Sequence, residues 1–278
     1  MYIQVLLSVY NGEKYLAAQI QSIVNQTHRH WELLIKNDQS TDGSLAIIEE
    51  FTQAYPNQIK LINTLVGGNA TRSFMGFLPL VSAPYLMFCD QDDVWFPNKI
   101  SISLQTLQQV EKENPIALVF SDMEVVDSDL NLLHASFLKQ HQLNPNWRNN
   151  AYYVMAQSLA AGCTMMFTKK LVDTLNPIDD ALFQHDHWLL IHAAYYGKIG
   201  FINQSTLKYR QHNSNSLGAH GISVNYFISK LKSLGLVTKR WLYLNRQLTP
   251  KPSLIKIGLA KLYLNLGRLT RFSKFAFL

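Results

Sequence analysis

Over its first 115 residues the chain alternates short apolar runs with stretches of helical spacing. Ile3–Ser8 is β-prone and ends at the turn signal Tyr10-Asn11-Gly12. Leu16, Ile20, Ile23 and Val24 then share one helical face. Trp31–Lys36 is a second strand run, and Leu45, Ile48 and Phe51 mark a helix from Ser44 to Tyr55. Ile59–Ile62 is a third strand, Gly67-Gly68-Asn69 opens a helix over 70–81, and Tyr85–Cys89 is a fourth strand. Asn98–Glu113 is the next helix. Strand, helix, strand, helix with short turns predicts a mostly parallel, Rossmann-like α/β sheet with helices on both faces.

After residue 115 the pattern changes. Ile116–Val126 is one long β-prone run, and Leu130–Asn150 is polar and punctuated, read as a mobile excursion over the site. Ala160-Ala161-Gly162-Cys163 places small residues inside an apolar stretch, a mark of close backbone or ligand approach. Gln184-His185-Asp186-His187-Trp188 starts a helix running to Tyr196, and Ile199–Ile202 and Thr206–Tyr209 read as two strands before Arg210-Gln211-His212-Asn213.

Composition changes this picture only at the C-terminal end. The chain has 278 residues, 47% of them apolar, and a net charge of +6. Residues 221–278 hold eleven Lys/Arg and no Asp/Glu, so the rest carries 14 basic against 19 acidic side chains. The expected organisation is a mildly acidic body over 1–220 and a basic helical extension over 221–278. On Leu254–Lys274, Lys256, Lys261, Arg268, Arg271 and Lys274 fall on one half of a wheel drawn at about 100° per residue. Ile255, Leu259, Leu262, Leu266 and Leu269 fall on the other half. Such a helix suits an anionic membrane surface; packing on the body or against a partner subunit, as in a homo-oligomer, fits the same pattern. No recognised module supports nucleic-acid binding. No apolar run reaches the roughly 18 residues a spanning helix needs. Val5–Val9 is too short for a signal sequence. The two cysteines, Cys89 and Cys163, lie in apolar runs and read as buried thiols in a reducing compartment. The expected location is cytoplasmic, on the inner face of the membrane.

The chemistry concentrates at strand ends, where ligands bind open α/β sheets. Asp90-Gln91-Asp92-Asp93 crowds three carboxylates directly after a strand, a set that suits a hard divalent cation with diphosphate completing its ligands. A solvated acidic turn or helix cap is the bland alternative. Asp38 sits at a second strand end, where a carboxylate can accept the imide N–H of a uracil or thymine; Asp42 and Ser44 read as helix caps. Asp186 suits a base that takes a hydroxyl proton, though an N-cap role fits too. Lys36 and Arg72 are candidates for phosphate pairing.

These positions together resemble a family 2 glycosyltransferase of the GT-A fold. The resemblance rests on Leu7-Ser8-Val9-Tyr10-Asn11-Gly12-Glu13, Asn37-Asp38-Gln39-Ser40-Thr41-Asp42-Gly43-Ser44, Asp90-Gln91-Asp92-Asp93, Ala161-Gly162-Cys163 and His185-Asp186-His187-Trp188, followed by Tyr209-Arg210-Gln211-His212-Asn213. It covers roughly residues 3–215. The His-Asp-x-Trp and Tyr-Arg-Gln-His versions resemble bacterial rhamnosyltransferase-like enzymes of surface polysaccharide synthesis, such as O-antigen or capsule. Gln39 departs from a customary glycine, and His185 from an acidic residue.

The resemblance implies inverting transfer from a UDP- or dTDP-sugar, rhamnose favoured, to a lipid-linked oligosaccharide. It implies Tyr10, Glu13, Asp38, Arg72, Asp90 and Gln91 on the nucleotide sugar, and Asp92 and His212 on Mn²⁺ or Mg²⁺. Asp186 would be the catalytic base, with Trp95, Gly162, His185 and Trp188 toward the acceptor. A nucleotidyltransferase lacks support, because no glycine-rich, Arg/Lys-containing phosphate loop lies near the N-terminus. A non-catalytic scaffold has no need of Asp186.

Overall fold

The computed structural model describes residues 1–62, 67–212 and 225–275, with side chains in the last two helices described for 235–266. The elements are β1 (Ile3–Val9), α1 (Glu13–Val24), β2 (Trp31–Asn37), α2 (Ser44–Ala54), β3 (Ile59–Leu61), α3 (Ala70–Phe77), β4 (Tyr85–Cys89), β5 (Val94–Trp95) and α4 (Lys99–Glu113). They continue with β6 (Ala117–Val126), β7 (Leu132–His134), α5 (Phe137–Gln140), α6 (Ala151–Ala156), β8 (Met165–Thr168), α7 (Lys169–Val172), α8 (His185–Tyr196), β9 (Lys198–Arg210), α9 (Asn225–Gln247) and α10 (Leu254–Phe275).

One sheet runs β3-β2-β1-β4-β8-β6-β9-β5, with β7 added beside β6. The first four strands in that order pair in parallel, as does β6 with β9. The pairings of β8, β7 and β5 are antiparallel, so the downstream half is mixed. Side chains alternate across the strands, and each face buries its own core. Ile3, Val5, Leu7 and Val9 pack with Leu16, Ile20 and Ile48 of α1 and α2 on one face. Leu6, Leu34, Leu86 and Phe88 pack with Phe74, Trp188 and Leu189 of α3 and α8 on the other. Helices on both faces, the expected α/β architecture, follow from that alternation.

Three segments differ from the expectation. The helix that opens at Asn69 stops at Phe77 and tightens into a 3₁₀ turn over Leu78–Leu80, because Pro79 has no N–H to continue the ladder. The stretch 130–150, expected as an irregular excursion, carries regular structure: it forms β7, α5 and a 3₁₀ turn. The Asp122 carboxylate holds it, accepting from Ser136 Oγ at 2.5 Å and Leu138 N at 3.1 Å, and Leu138 is buried. The two expected late strands are one strand, β9, whose register against β6 shifts near Asp122 while the exposed polar residues Asn203 and Gln204 bulge out.

The basic C-terminal segment packs on the body. Leu244, Leu248 and Ile257 join the core around α8, and Ala260 and Leu264 pack with Ala156 of α6. The buried stripe of α10 is therefore Ile257, Ala260 and Leu264. Ile255, Leu259, Leu262 and Leu266 face outward, 51–76% exposed. Lys261 donates to Ala156 O at 2.8 Å, and Lys256 lies 5.5 Å from the Tyr152 ring centroid, so both reach toward α6. The expected boundary at residue 220, and the side chains of Arg268, Leu269, Arg271 and Lys274, lie outside the described residues. Among the described residues no helix is long and apolar enough to cross a membrane.

Candidate active site

The parallel strands β1, β2 and β4 deliver their C-terminal ends to one edge, and three turns meet there. The Gln91 side chain clamps the end of β1, accepting from Tyr10 N at 2.8 Å and donating to Tyr10 O at 3.0 Å. Glu13 braces the second turn: its carboxylate accepts from Gly43 N at 2.9 Å, while its own N–H donates to Asp42 at 3.0 Å. Ser44 Oγ accepts from Gly12 N at 2.8 Å. Asp42 and Ser44 thus tie the β2 turn to the β1 turn; the N-cap of α2 is Gly43, with no side-chain cap bond, which corrects their reading as caps. Gln39 adopts φ 63°, the left-handed conformation that glycine takes without penalty.

Asp38 is half-committed. Its Oδ2 accepts from Ser73 Oγ at 2.8 Å and Gly68 N at 3.2 Å, and Lys36 Nζ lies 3.7 Å from its Oδ1. Lys36 is fully buried in this role, which corrects its reading as a phosphate partner. A methyl group on Gly67 would fall 1.7 Å from Asp38 Oδ1, so only glycine leaves that carboxylate its place. Arg72, in the first turn of α3, is already engaged: its Nε lies 2.7 Å from Asp180 Oδ2.

The acid turn is held from the far side of the chain. Arg210, the last residue of β9, donates from its backbone N to Asp93 Oδ1 at 3.3 Å and from Nε to Asp92 O at 2.9 Å. Its guanidinium lies 4.4 Å from the Tyr15 ring centroid. Two residues on, His212 Nε2 lies 2.8 Å from Asp92 Oδ2. Asp93 is fully buried beside Cys163 and Lys99. Burial first, then the charges of Asp92 and Asp90, push its carboxyl well above the ordinary range. Burial and the Asp92 charge push Asp90 up to about 7. Asp186 adds to that repulsion, so the α8 carboxylate lies within electrostatic reach of the acid turn.

Asp186 sits in the first turn of α8, with Oδ1 accepting from His187 N at 2.6 Å; the N-cap residue is Gln184. Gly162 opens a 3₁₀ turn wedged between Phe88 and α8: a methyl there would meet His185 Nε2 at 3.0 Å and Asp186 Cβ at 3.6 Å. The His185 ring is stacked 4.3 Å from Phe74 and set edge-on 5.0 Å from Phe88. Trp95 and Trp188 are core residues, 2% and 0% exposed. The Trp188 indole donates to Asn176 O at 3.0 Å, and Lys99 Nζ lies 4.9 Å from the Trp95 ring centroid. Neither ring has a face for a sugar, which corrects their reading as acceptor contacts. Tyr10, by contrast, is 61% exposed at the mouth.

Residues 4–170 match the family model for glycosyl transferase family 2. The chain belongs to that family. This glycosyltransferase is 28% identical over 248 residues to the dTDP-rhamnosyl transferase RfbG of Shigella flexneri, covering 84% of this chain and 80% of that one. It is 23% identical over 216 residues to the Escherichia coli UDP-Glc:alpha-D-GlcNAc-diphosphoundecaprenol beta-1,3-glucosyltransferase WfgD, covering 77% and 78%. Among solved structures it resembles S. aureus TarS in complex with UDP-GlcNAc, with a TM-score of 0.57, 17% identity, and 87% and 67% of the two chains covered. It also resembles the mannosyltransferase PcManGT of Pyrobaculum calidifontis in complex with GDP-Man and Mn²⁺, with a TM-score of 0.55, 12% identity, and 98% and 82% covered. These likenesses establish the GT-A fold.

The donor set of this transferase fits a divalent cation. Asp93 Oδ2 is buried with no hydrogen-bond partner among the described residues, and three carboxylates and an imidazole crowd one turn. Carboxylate oxygens suit a hard divalent cation. Asp90, Asp93 and Cys163 also bring ligand atoms within 4.8 Å of one another. Four contributors escaped the sequence reading: Ser73 beneath Asp38, Asp180 on Arg72, Arg210 under the acid turn, and buried Lys99. Only Arg210 had a signal, its place just before His212.

Proposed function

We propose that this glycosyltransferase inverts the anomeric centre as it moves a sugar, rhamnose favoured, from a dTDP- or UDP-sugar to a hydroxyl of a lipid-linked glycan in surface polysaccharide assembly. The placement of Asp186 carries the reading. Its carboxylate lies beside the glycine turn at 162 and within electrostatic reach of Asp90, where donor and acceptor sides meet. Asp38 accepts the imide N–H of the base through Oδ1, while Lys36 and Ser73 hold its carboxylate in place. Asp92 and His212 would hold the cation, which when bound would neutralise charge on the diphosphate.

Asp186 takes the proton of the acceptor hydroxyl. That oxygen forms the new bond to the anomeric carbon from the face opposite the diphosphate, the bond to the diphosphate oxygen breaks, and the nucleoside diphosphate leaves. The names of the RfbG and WfgD relatives support a dTDP- or UDP-sugar and a diphospholipid acceptor. The outward stripe of Ile255, Leu259, Leu262 and Leu266, on a segment without acids, supports work at the inner membrane face.

Purified protein screened against nucleotide sugars should release nucleoside diphosphate in a metal-dependent way from one of them. Asp186→Asn should lower transfer by about 10²–10⁴ and leave donor affinity unchanged. Transfer at the wild-type rate would remove Asp186 as the base.

A further inference from the structure

A second cleft opens at the first turn of α8. It has a volume of about 450 Å³ and is lined by Ser158, Asp180, Phe183, Gln184, His187, Arg240 and Lys261, among others. Its cationic walls come from the C-terminal helices: Arg240 from α9 and Lys261 from α10. Both helices are fixed there by burial of Leu244, Leu248 and Ile257.

Arg240 is the informative residue. Its guanidinium lies 5.6 Å from the Phe183 ring centroid, and its Nε is buried with no hydrogen-bond partner among the described residues. A half-buried guanidinium with an orphaned N–H is expensive to keep unless an anion completes it. Lys261, in the same lining, donates to Ala156 O at 2.8 Å. His187 donates from Nε2 to Val154 O at 2.7 Å, since a carbonyl can only accept. The charges of Arg240 and Lys261 both bear on that ring, so the three groups converge. The acid in the wall, Asp180, is already paired with Arg72 and accepts a hydrogen bond from Asn69 Nδ2 at 2.5 Å. The cleft also borders the start of a 12-residue helix whose N-cap, Gln184, makes no side-chain cap bond. The dipole there adds to the positive potential.

We propose that this cleft binds the phosphate or diphosphate group of a lipid-linked acceptor, with Arg240 and Lys261 as its cationic ligands. The inference rests on the lipid-linked acceptor proposed above. His187 follows Asp186 directly, so an anion held by these cations sits next to the base that receives the acceptor hydroxyl. The outward apolar stripe of α10 lies on the helix that supplies Lys261, which gives the acceptor's hydrocarbon chain a surface beside its charged group. The C-terminal helices are then part of the acceptor site, and their basic charge is a recognition element.

Calorimetry in the presence of EDTA, which removes cation-mediated binding at Asp92 and His212, tests this with two probes: inorganic diphosphate and farnesyl diphosphate. The wild type should bind both, the farnesyl form more tightly. Arg240→Gln and Lys261→Gln should each weaken binding about tenfold or more, the scale of losing a charge-assisted hydrogen bond. Arg240→Lys should recover part of it. All variants should keep wild-type nucleoside diphosphate release from the donor, which also reports that they are folded. Absence of binding by the wild type, or wild-type affinity in both Gln variants, would overturn the proposal. Binding of inorganic diphosphate alone would overturn the lipid-linked source. Loss of donor turnover is read separately: a wild type that releases nucleoside diphosphate from no donor refutes the transferase reading, whatever the cleft binds.

Discussion

Gly162→Ala is the sharpest test of how the acceptor side is built. The added methyl would sit 3.0 Å from His185 Nε2 and 3.6 Å from both Asp186 Cβ and a Phe88 ring carbon. Ordinary contact between such atoms is about 3.5–4.0 Å, so the histidine has to yield by roughly half an ångström. It has little room, with Phe74 stacked on one side, Phe88 against its edge, and 9% exposure. The displacement therefore passes to the first turn of α8 and moves Asp186. A 1 Å misplacement of a reacting group costs up to about 10²-fold in rate; half that displacement implies roughly tenfold in transfer kcat. Overpacking of this kind also costs about 1–3 kcal/mol of stability. Steady-state transfer, donor affinity and urea unfolding should be measured on the same preparation. The expected result is a roughly tenfold loss of kcat with unchanged donor affinity. Adding His185→Ala should restore part of the rate by vacating the contact, a coupling a double-mutant cycle reads directly. Wild-type kcat in Gly162→Ala, with only stability lowered, would show that the close approach is packing and does not position Asp186.

Asp92→Ala and His212→Ala should each reduce Mn²⁺-dependent donor affinity; calorimetry finding the wild-type value at saturating Mn²⁺ would exclude them as ligands. Gly67→Ala displaces the Asp38 carboxylate and should weaken donor binding tenfold or more by about the scale of a lost charged hydrogen bond; unchanged binding would mean Asp38 does not read the base. Gln39→Gly relieves a left-handed non-glycine residue and should stabilise the fold by about 1 kcal/mol, read as a higher urea midpoint. His192, fully enclosed in the core, is pushed down by burial from 6.5 to about 4. The unfolded chain takes that proton first, so this stability is complete above pH 6.5 and falls as pH drops toward 4, by up to about 3 kcal/mol. Urea titrations across that window should show the slope, and His192→Leu should flatten it.

The sequence made the first half of the sheet readable because β1, β2 and β4 are mostly apolar, nearly buried runs, each closed by a turn rich in polar residues. Strand-end acids could be paired with roles for the same reason: Asp38 and Asp90 follow strands that the pattern locates. Burial of the tryptophans was not readable, because an aromatic next to a site motif looks the same whether it stacks on a ligand or fills the core. The strand Val94–Trp95 is two residues long, below any periodicity. Asn203 and Gln204 broke the apolar run of β9, yet a bulge lets the strand continue past them. The wheel of α10 could not tell which half meets the body. The buried stripe turned out to be Ile257, Ala260 and Leu264. Arg240 carried no signal at all, since its meaning depends on where α9 docks.

The tie between Arg210 and the acid turn also sets an order of assembly. Residues that surround Asp38 come from the first eighty positions, and β1, β2 and β4 pair without help from later segments. The acid turn waits for β9, more than a hundred residues downstream, to bring Arg210 and His212. Such distant contacts form late, because the chain must first close long loops. As the polypeptide emerges from the ribosome, the half around Asp38 can take shape early, while the half around the acid turn stays unfinished until nearly all of the sheet is present. A truncated product that folds its first strands therefore carries the Asp38 turn without the acid turn's ties to Arg210 and His212.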